Sequence, residues 1–375
     1  KQIICISLVL FTFSAQAQQL VLASERTDVY LHHLQNKKVG IVGNQTSMIA
    51  NKHLVDSLLS LGIDVVKVFS PEHGFRGKAD AGAIIEDGID AKTGIPIISL
   101  YGKNKKPKAD QLQGIDILVF DIQDVGVRFY TYISTLHYVM ESAAEFGIPI
   151  LVLDRPNPNG HYVDGPILDT AFQSFVGMHP IPIAHGMTIG EYAKMIRGEN
   201  WITTRCELIM IEMENYTHTT NYDLPIKPSP NLPNTRAINL YPSLGLFEGT
   251  SISVGRGTDY PFQHFGAPYL KSNYSFIPKS GEGSKYPKHE NIVCFGTDLR
   301  FQDNYLTTIN LNWIIEAYKQ CPEKAEFFNK FFDKLAGTDK LKKQIITGKT
   351  AKEIRDSWVE GLEEFKEVRR KYLLY

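Results

Sequence analysis

The residues best equipped for chemistry lie in Glu72-His73-Gly74-Phe75-Arg76-Gly77. Here an acid, an imidazole and a cation follow directly on the apolar run Asp64-Val65-Val66-Lys67-Val68-Phe69 and its stop, Ser70-Pro71. The β-branched richness of that run predicts a buried strand, and the two glycines let backbone come close to a ligand. A carboxyl group just beyond a strand end suits proton transfer to or from a reacting group. A solvated surface turn would carry the same residue types, so the reading depends on what else the chain brings to this place.

Three other polar clusters occupy the same position relative to a predicted strand. Asn44-Gln45 follow Lys38–Gly43, Asp121-Ile122-Gln123-Asp124 follow Ile115–Phe120, and Asp154-Arg155, with Asn157 close behind, follow Ile148–Leu153. Helical spacing of apolar residues separates the strands at His53–Leu61 and Tyr130–Phe146. Strands that are apolar throughout and alternate with helices imply a parallel sheet covered on both faces, an α/β, Rossmann-like domain. Parallel strands point one way, so the four clusters are expected to converge at the carboxyl edge, where such sheets bind ligands. No G-x-G-x-x-G follows the first strand, and no nucleotide or other cofactor is expected.

Further on, Thr188-Ile189-Gly190-Glu191 has capping-box spacing and predicts a helix start, and Arg205–Ile211 reads as another strand. The proline-rich stretch Tyr222–Pro242 reads as an extended crossover, and Thr235–Ser275 as loops that contribute to a cleft. The tail is expected to be helical over Asn312–Leu335 and again after the capping box Thr350–Glu353, with Ile354, Trp358, Leu362 and Phe365 on one face. The expected organisation is a leader at 1–17, a Rossmann-like domain at 18–235 and a smaller α+β domain at 236–375.

A chain of 375 residues exceeds one small core. With 40 Lys and Arg against 41 Asp and Glu, no global field draws it to nucleic acid or to an acidic membrane surface. Ile3–Phe13 is apolar and ends in Ala15-Gln16-Ala17, the pattern of an export signal cut after Ala17 and too short to span a bilayer. The expectation is export to the periplasm or the exterior, without stable membrane insertion. Beyond it, Cys206, Cys294 and Cys321 are odd in number and widely spaced, which gives neither a disulfide framework nor a zinc pattern. A metal site drawing on His73, His185 and the acids would lack any recognised ligand spacing, and His137 and His161 read as structural.

Arg256 stands between Gly255 and Gly257, where a planar guanidinium suits a bidentate grip on a carboxylate or phosphate. A pair with Asp259 inside the turn is the plainer alternative, as is a pair between Asp124 and Arg128. Tyr101, Tyr130, Tyr132, Tyr241, Tyr260 and Tyr269 offer rings for stacking on sugars.

Taken in order, V-F-S-P-E-H-G-F-R-G, V-F-D-I-Q-D-V-G-V-R-F-Y-T-Y, D-R-P-N-P-N-G, S-P-N-L-P and S-V-G-R-G-T-D-Y-P-F-Q resemble the NamZ-type exo-β-N-acetylmuramidases from about Lys38 to the C-terminus. The resemblance implies release of single N-acetylmuramic acid residues from non-reducing ends of peptidoglycan strands, or from a muramyl disaccharide. It also implies a site between the two domains and a catalytic Glu in P-E-H-G, which is Glu72 here. Glycoside cleavage requires an acid and usually a second carboxylate, for which Asp124 and then Asp121 are the candidates. The lactyl carboxylate of the sugar would fall to Arg256 or Arg128. Asn44, Gln45, His73, Arg76, Gln123, Tyr130, Asn157 and His185 complete the expected substrate contacts. An exported sugar-binding protein without turnover and a metal-dependent glycan hydrolase or deacetylase stand as alternatives. A serine esterase does not, since no G-x-S-x-G elbow is present.

Overall fold

The computed structural model describes residues 19–72, 74–76, 87–302 and 304–375, so the expected leader and His73 lie outside the described residues. The N-terminal domain runs α1 (Thr27–Leu34), β1 (Lys38–Gly43), a small hairpin of β2 (Met48–Ile49) and β3 (Lys52–His53), α2 (Leu54–Ser60) and β4 (Asp64–Ser70). It continues through β5 (Gly88–Ile89), β6 (Pro96–Ser99), α3 (Ala109–Leu112), β7 (Ile117–Asp121), α4 (Tyr132–Glu145), β8 (Ile150–Leu153), α5 (Ile189–Gly198) and β9 (Leu208–Ile211). Among the described residues, seven strands form one sheet in the order β5-β6-β4-β1-β7-β8-β9, parallel except for β5, which pairs antiparallel with β6.

Successive side chains of a strand face opposite ways, and here both faces are dry. Val39 and Ile41 of β1, Ile117 and Val119 of β7, and Leu151 and Leu153 of β8 pack on the side of α1 and α2. Val42, Leu118, Phe120, Ile150 and Val152 pack on the side of α4 and α5. This second core continues unbroken into the C-terminal domain through Phe247, Phe262, Phe327, Phe332 and Trp358. A shared core of this kind fixes the two domains against each other, because separating them would expose its apolar surface.

The C-terminal domain opens with α6 (Thr235–Leu244), and its three-stranded antiparallel sheet orders β10 (His264–Ala267), β12 (Cys294–Asp298) and β11 (Tyr274–Phe276). The expected crossover is therefore extended only as far as Asn234, whose side chain caps α6 by accepting from the Ala237 amide at 3.0 Å. Pro242 sits inside α6 and deprives the Ile238 carbonyl of its helical donor. The Asn159 side-chain amide takes that place at 3.1 Å, which is how the proline is accommodated.

The long tail helix expected over Asn312–Leu335 is instead three short ones, α7 (Asn312–Gln320), α8 (Lys324–Phe327) and α9 (Phe332–Ala336), because Pro322 cannot continue the first. After α10 (Lys340–Ile346), the Thr350–Glu353 capping box forms as expected at the start of α11 (Ala351–Asp356), and α12 (Val359–Arg370) follows. The chain end returns to the N-terminal domain. The Tyr375 hydroxyl donates to Asp154 at 2.8 Å and the Leu374 amide to Glu191 at 2.8 Å.

Candidate active site

A cleft of about 240 Å³ opens between the two domains. Ser70 ends β4, Pro71 turns the chain, and Gly74 at φ 78° closes the turn through its amide to the Pro71 carbonyl at 3.2 Å. This turn delivers the Glu72 carboxyl into the cleft, where the Tyr101 hydroxyl is its hydrogen-bond partner. Burial, and then the charge of Glu72, push the Tyr101 phenol far above its ordinary range, so it keeps its proton and donates.

The opposite wall comes from the C-terminal domain. Gly255 at φ 76° and Gly257 at φ 79° bracket Arg256, and a Cβ on Gly255 would lie 2.2 Å from the His264 ring. The Arg256 guanidinium lines the cleft and is held by Glu248, Nε to Oε1 at 2.7 Å and Nη2 to Oε2 at 3.1 Å. Its carbon stands 5.0 Å from the centre of the Phe262 ring, a cation over an aromatic face. Phe262 adopts φ 54°, a backbone state unfavourable for a bulky side chain, and it too faces the cleft. Rings of Phe129, Tyr130, Tyr132, Tyr241 and Phe262 meet edge to face beneath the cleft, with centroids 4.8 to 5.9 Å apart. Among the described residues the cleft thus offers the carboxyl groups of Glu72 and Glu248, the guanidinium of Arg256 and an aromatic floor.

The four polar clusters do converge at the carboxyl edge, and most of them satisfy one another there. Asp121 is fully buried and paired with Arg155 through both oxygens, at 2.5 and 2.8 Å, so it does not line the cleft. Asp124 is also buried away from it: Oδ2 accepts from the Gly126 amide at 2.7 Å, Oδ1 has no partner, and burial pushes its pKa up to about 7. Asn44 bridges the Thr46 amide and the Tyr132 hydroxyl. Gln45 and Gln123 hold loop carbonyls of Lys227, Pro228, Asp124 and Pro156. Asn157 fixes its own loop through the Asn159 amide and the Met187 carbonyl. The reason is general, since polar groups buried beneath later segments of the same domain, among them Lys227 and Pro228, must find partners within the protein.

Three cationic or basic candidates also fall outside the cleft. Arg76 pairs with Asp90 at 2.7 Å and Asp56 at 3.4 Å. His185 is buried, accepts from the Met187 amide at 3.2 Å, and is pushed down to about 3 by burial, which keeps it neutral. Arg128 is completely buried and makes no pair with Asp124; its hydrogen bonds go to four backbone carbonyls. Of the expected site residues, Glu72, Tyr130 and Arg256 line the cleft.

Glu248 was not anticipated. It follows no strand and belongs to no recognisable motif; the one signal is that Arg256 needs an acid, which the sequence offers nearer by in Asp259. Gln123 and Arg155 line a second cavity of about 320 Å³ together with Glu25, Tyr222 and Ile226.

Comparison with known proteins agrees with this architecture. Two family models match, Exo-beta-N-acetylmuramidase NamZ, N-terminal, over residues 39–236, and its C-terminal counterpart over residues 239–375. The peptidoglycan beta-N-acetylmuramidase NamZ of Bacillus subtilis (strain 168) is 40% identical over 369 residues, covering 92% of this chain and 89% of its own. A crystal structure of a DUF1343 family protein from Bacteroides fragilis NCTC 9343 superposes with a TM-score of 0.89 at 48% identity, covering 96% of this chain and 99% of that one. A second DUF1343 protein from the same strain gives 0.82 at 28% identity, covering 95% and 99%. With two halves of one family matched in order along nearly its whole length, the chain belongs to the NamZ exo-β-N-acetylmuramidase family.

Proposed function

We propose that the protein is an exo-acting glycoside hydrolase that releases N-acetylmuramic acid from the non-reducing ends of peptidoglycan glycan strands. The observation that carries this reading is the joint placement of Glu72, Glu248 and Arg256 on the walls of one cleft. The activity printed for the Bacillus subtilis relative supports it. So does the cleft's size: it is smaller than the roughly 300–1,000 Å³ of pockets for drug-sized ligands and suits one sugar.

Glu72 gives its proton to the glycosidic oxygen as the bond from that oxygen to the anomeric carbon breaks, and the bonding electrons pass to the oxygen. Water supplies the hydroxyl group that ends on the anomeric carbon, and its other proton goes to a carboxylate of the cleft, so that the carboxyl pair regains the proton Glu72 gave up. Glu248 takes the place of the second carboxylate that Asp124 and Asp121 were expected to fill. Arg256, steadied by Glu248 along one edge, receives the lactyl carboxylate that distinguishes muramic acid from glucosamine. We further infer that the protein is exported and works in the cell envelope, a reading supported by the export-signal pattern in the sequence up to Ala17 and by the nature of the proposed substrate. Among the described residues no helix is long and apolar enough to cross a membrane.

The test is hydrolysis of a chromogenic β-N-acetylmuraminide beside the matching β-N-acetylglucosaminide, each with and without chelator. Release from the muraminide alone, unchanged by chelator, is expected. Loss of release on chelation would favour a metal-dependent hydrolase, and glycan binding with no release from either substrate would favour a binding protein.

A further inference from the structure

Arg128 is the largest side chain with no exposure to solvent, and the chemistry of the cleft does not use it. Its Nη1 donates to the carbonyls of Pro166 at 2.7 Å and Ile181 at 2.6 Å. Its Nη2 donates to Leu335 at 3.0 Å and Ala336 at 2.6 Å. The first pair belongs to the N-terminal domain. The second pair consists of carbonyls at the end of α9, which have no helical donors of their own.

No carboxylate is among these partners, so the burial of a cation is offset by carbonyl dipoles alone. Such an arrangement is costly to desolvate, and it persists where the geometry it fixes is needed. Gly337 shows how closely the parts fit. It ends α9 at φ 72°, and a Cβ there would lie 2.6 Å from Nη2.

Both ends of this clamp continue into the cleft. Phe129 and Tyr130 follow Arg128 directly and form part of one wall, while Phe331 and Leu335 flank and belong to α9 and form part of the other. We propose that Arg128 is a positioning residue that holds the α9 wall at its distance from the Phe129–Tyr130 wall, setting the fit of the sugar without touching it. The inference rests on the cleft being the substrate site.

Arg128→Lys keeps a cation but concentrates its donors on one atom, which cannot bridge both carbonyl pairs. Gly337→Ala leaves the arginine in place and presses on it from the α9 side. Each variant is measured for kcat and KM on the chromogenic muraminide at a temperature where circular dichroism shows it fully folded, and for amide hydrogen exchange. The expected result is a KM raised about tenfold with kcat less affected, together with faster exchange confined to residues 331–337 and their neighbours across the clamp.

A lowered melting temperature with kcat and KM unchanged in the folded enzyme would overturn the proposal, as would exchange that is unaltered or faster everywhere. Should Arg128→Lys fail to fold, Gly337→Ala decides by the same criteria. A wild type inactive on both glycosides would defeat the muramidase reading, whereas the exchange data would still decide whether Arg128 pins α9.

Discussion

Glu248 grips Arg256 along one edge of the guanidinium, at 2.7 and 3.1 Å, and both side chains face the cleft that contains Glu72. The pair lies within the C-terminal domain, whereas Glu72 comes from the N-terminal sheet. A site built from all three therefore draws on both domains, and their common core holds them in register.

If Arg256 receives the lactyl carboxylate, Arg256→Ala should raise KM for muramyl glycosides by about 10- to 100-fold, as for loss of a hydrogen bond to a charged group. Glucosaminyl glycosides should change far less. Steady-state kinetics on the two substrates provide the check, and equal losses on both would remove the assignment.

Glu248→Gln keeps the shape of the pair and removes its charge. It should lower kcat on the muraminide by about 100-fold or more if Glu248 acts as the second carboxylate, with the melting temperature nearly unchanged because the site is partly exposed. A rise in KM with kcat intact would instead limit Glu248 to orienting Arg256.

Asp124 offers a pH test. Burial raises its folded pKa to about 7, so the folded state holds a proton that the unfolded chain releases near its ordinary value of about 4. This contribution to stability is full below about pH 4, falls as the pH rises towards 7, and is flat above that. Urea unfolding of wild type and Asp124→Asn at pH 5 and pH 8 should show the variant gaining about 1 kcal/mol or more on the wild type at the higher pH. Parallel stability curves would contradict it.

Asp121 separates structure from catalysis. Breaking its buried pair with Arg155 by Asp121→Ala should cost about 3–5 kcal/mol in denaturant unfolding. The protein that remains folded should keep kcat within a few-fold of wild type. A catalytic role for Asp121 would show as a large loss of kcat in the folded fraction.

Much of this was legible in the chain. The strands Lys38–Gly43 and Asp64–Ser70 were announced by continuous apolar runs, and the Thr188 and Thr350 helix starts by capping boxes. The convergence of Asn44, Glu72, Asp121 and Asp154 at one sheet edge followed from strand direction alone. Their division of labour did not follow, because that depends on which groups later segments of the chain cover. Covered, Asp121 needed Arg155 and Asn44 needed Tyr132, while Glu72, on the turn beyond Pro71, reached the cleft. Arg128 looked like a substrate ligand because a charge invites a charge, and its four carbonyl partners come from segments up to 208 residues away. Glu248 was hidden for the same reason, as its meaning depends on a cleft that exists only once both domains are in place.

The proposed mechanism stands on Glu72 as the proton donor for glycoside cleavage. Glu72→Gln preserves size and can still meet the Tyr101 hydroxyl, yet it has no proton to give. Its kcat on a chromogenic muraminide with a poor leaving group should fall about 10²- to 10⁴-fold, with the melting temperature within a few degrees of wild type. Activity within threefold of wild type in the folded variant would rule Glu72 out as that donor.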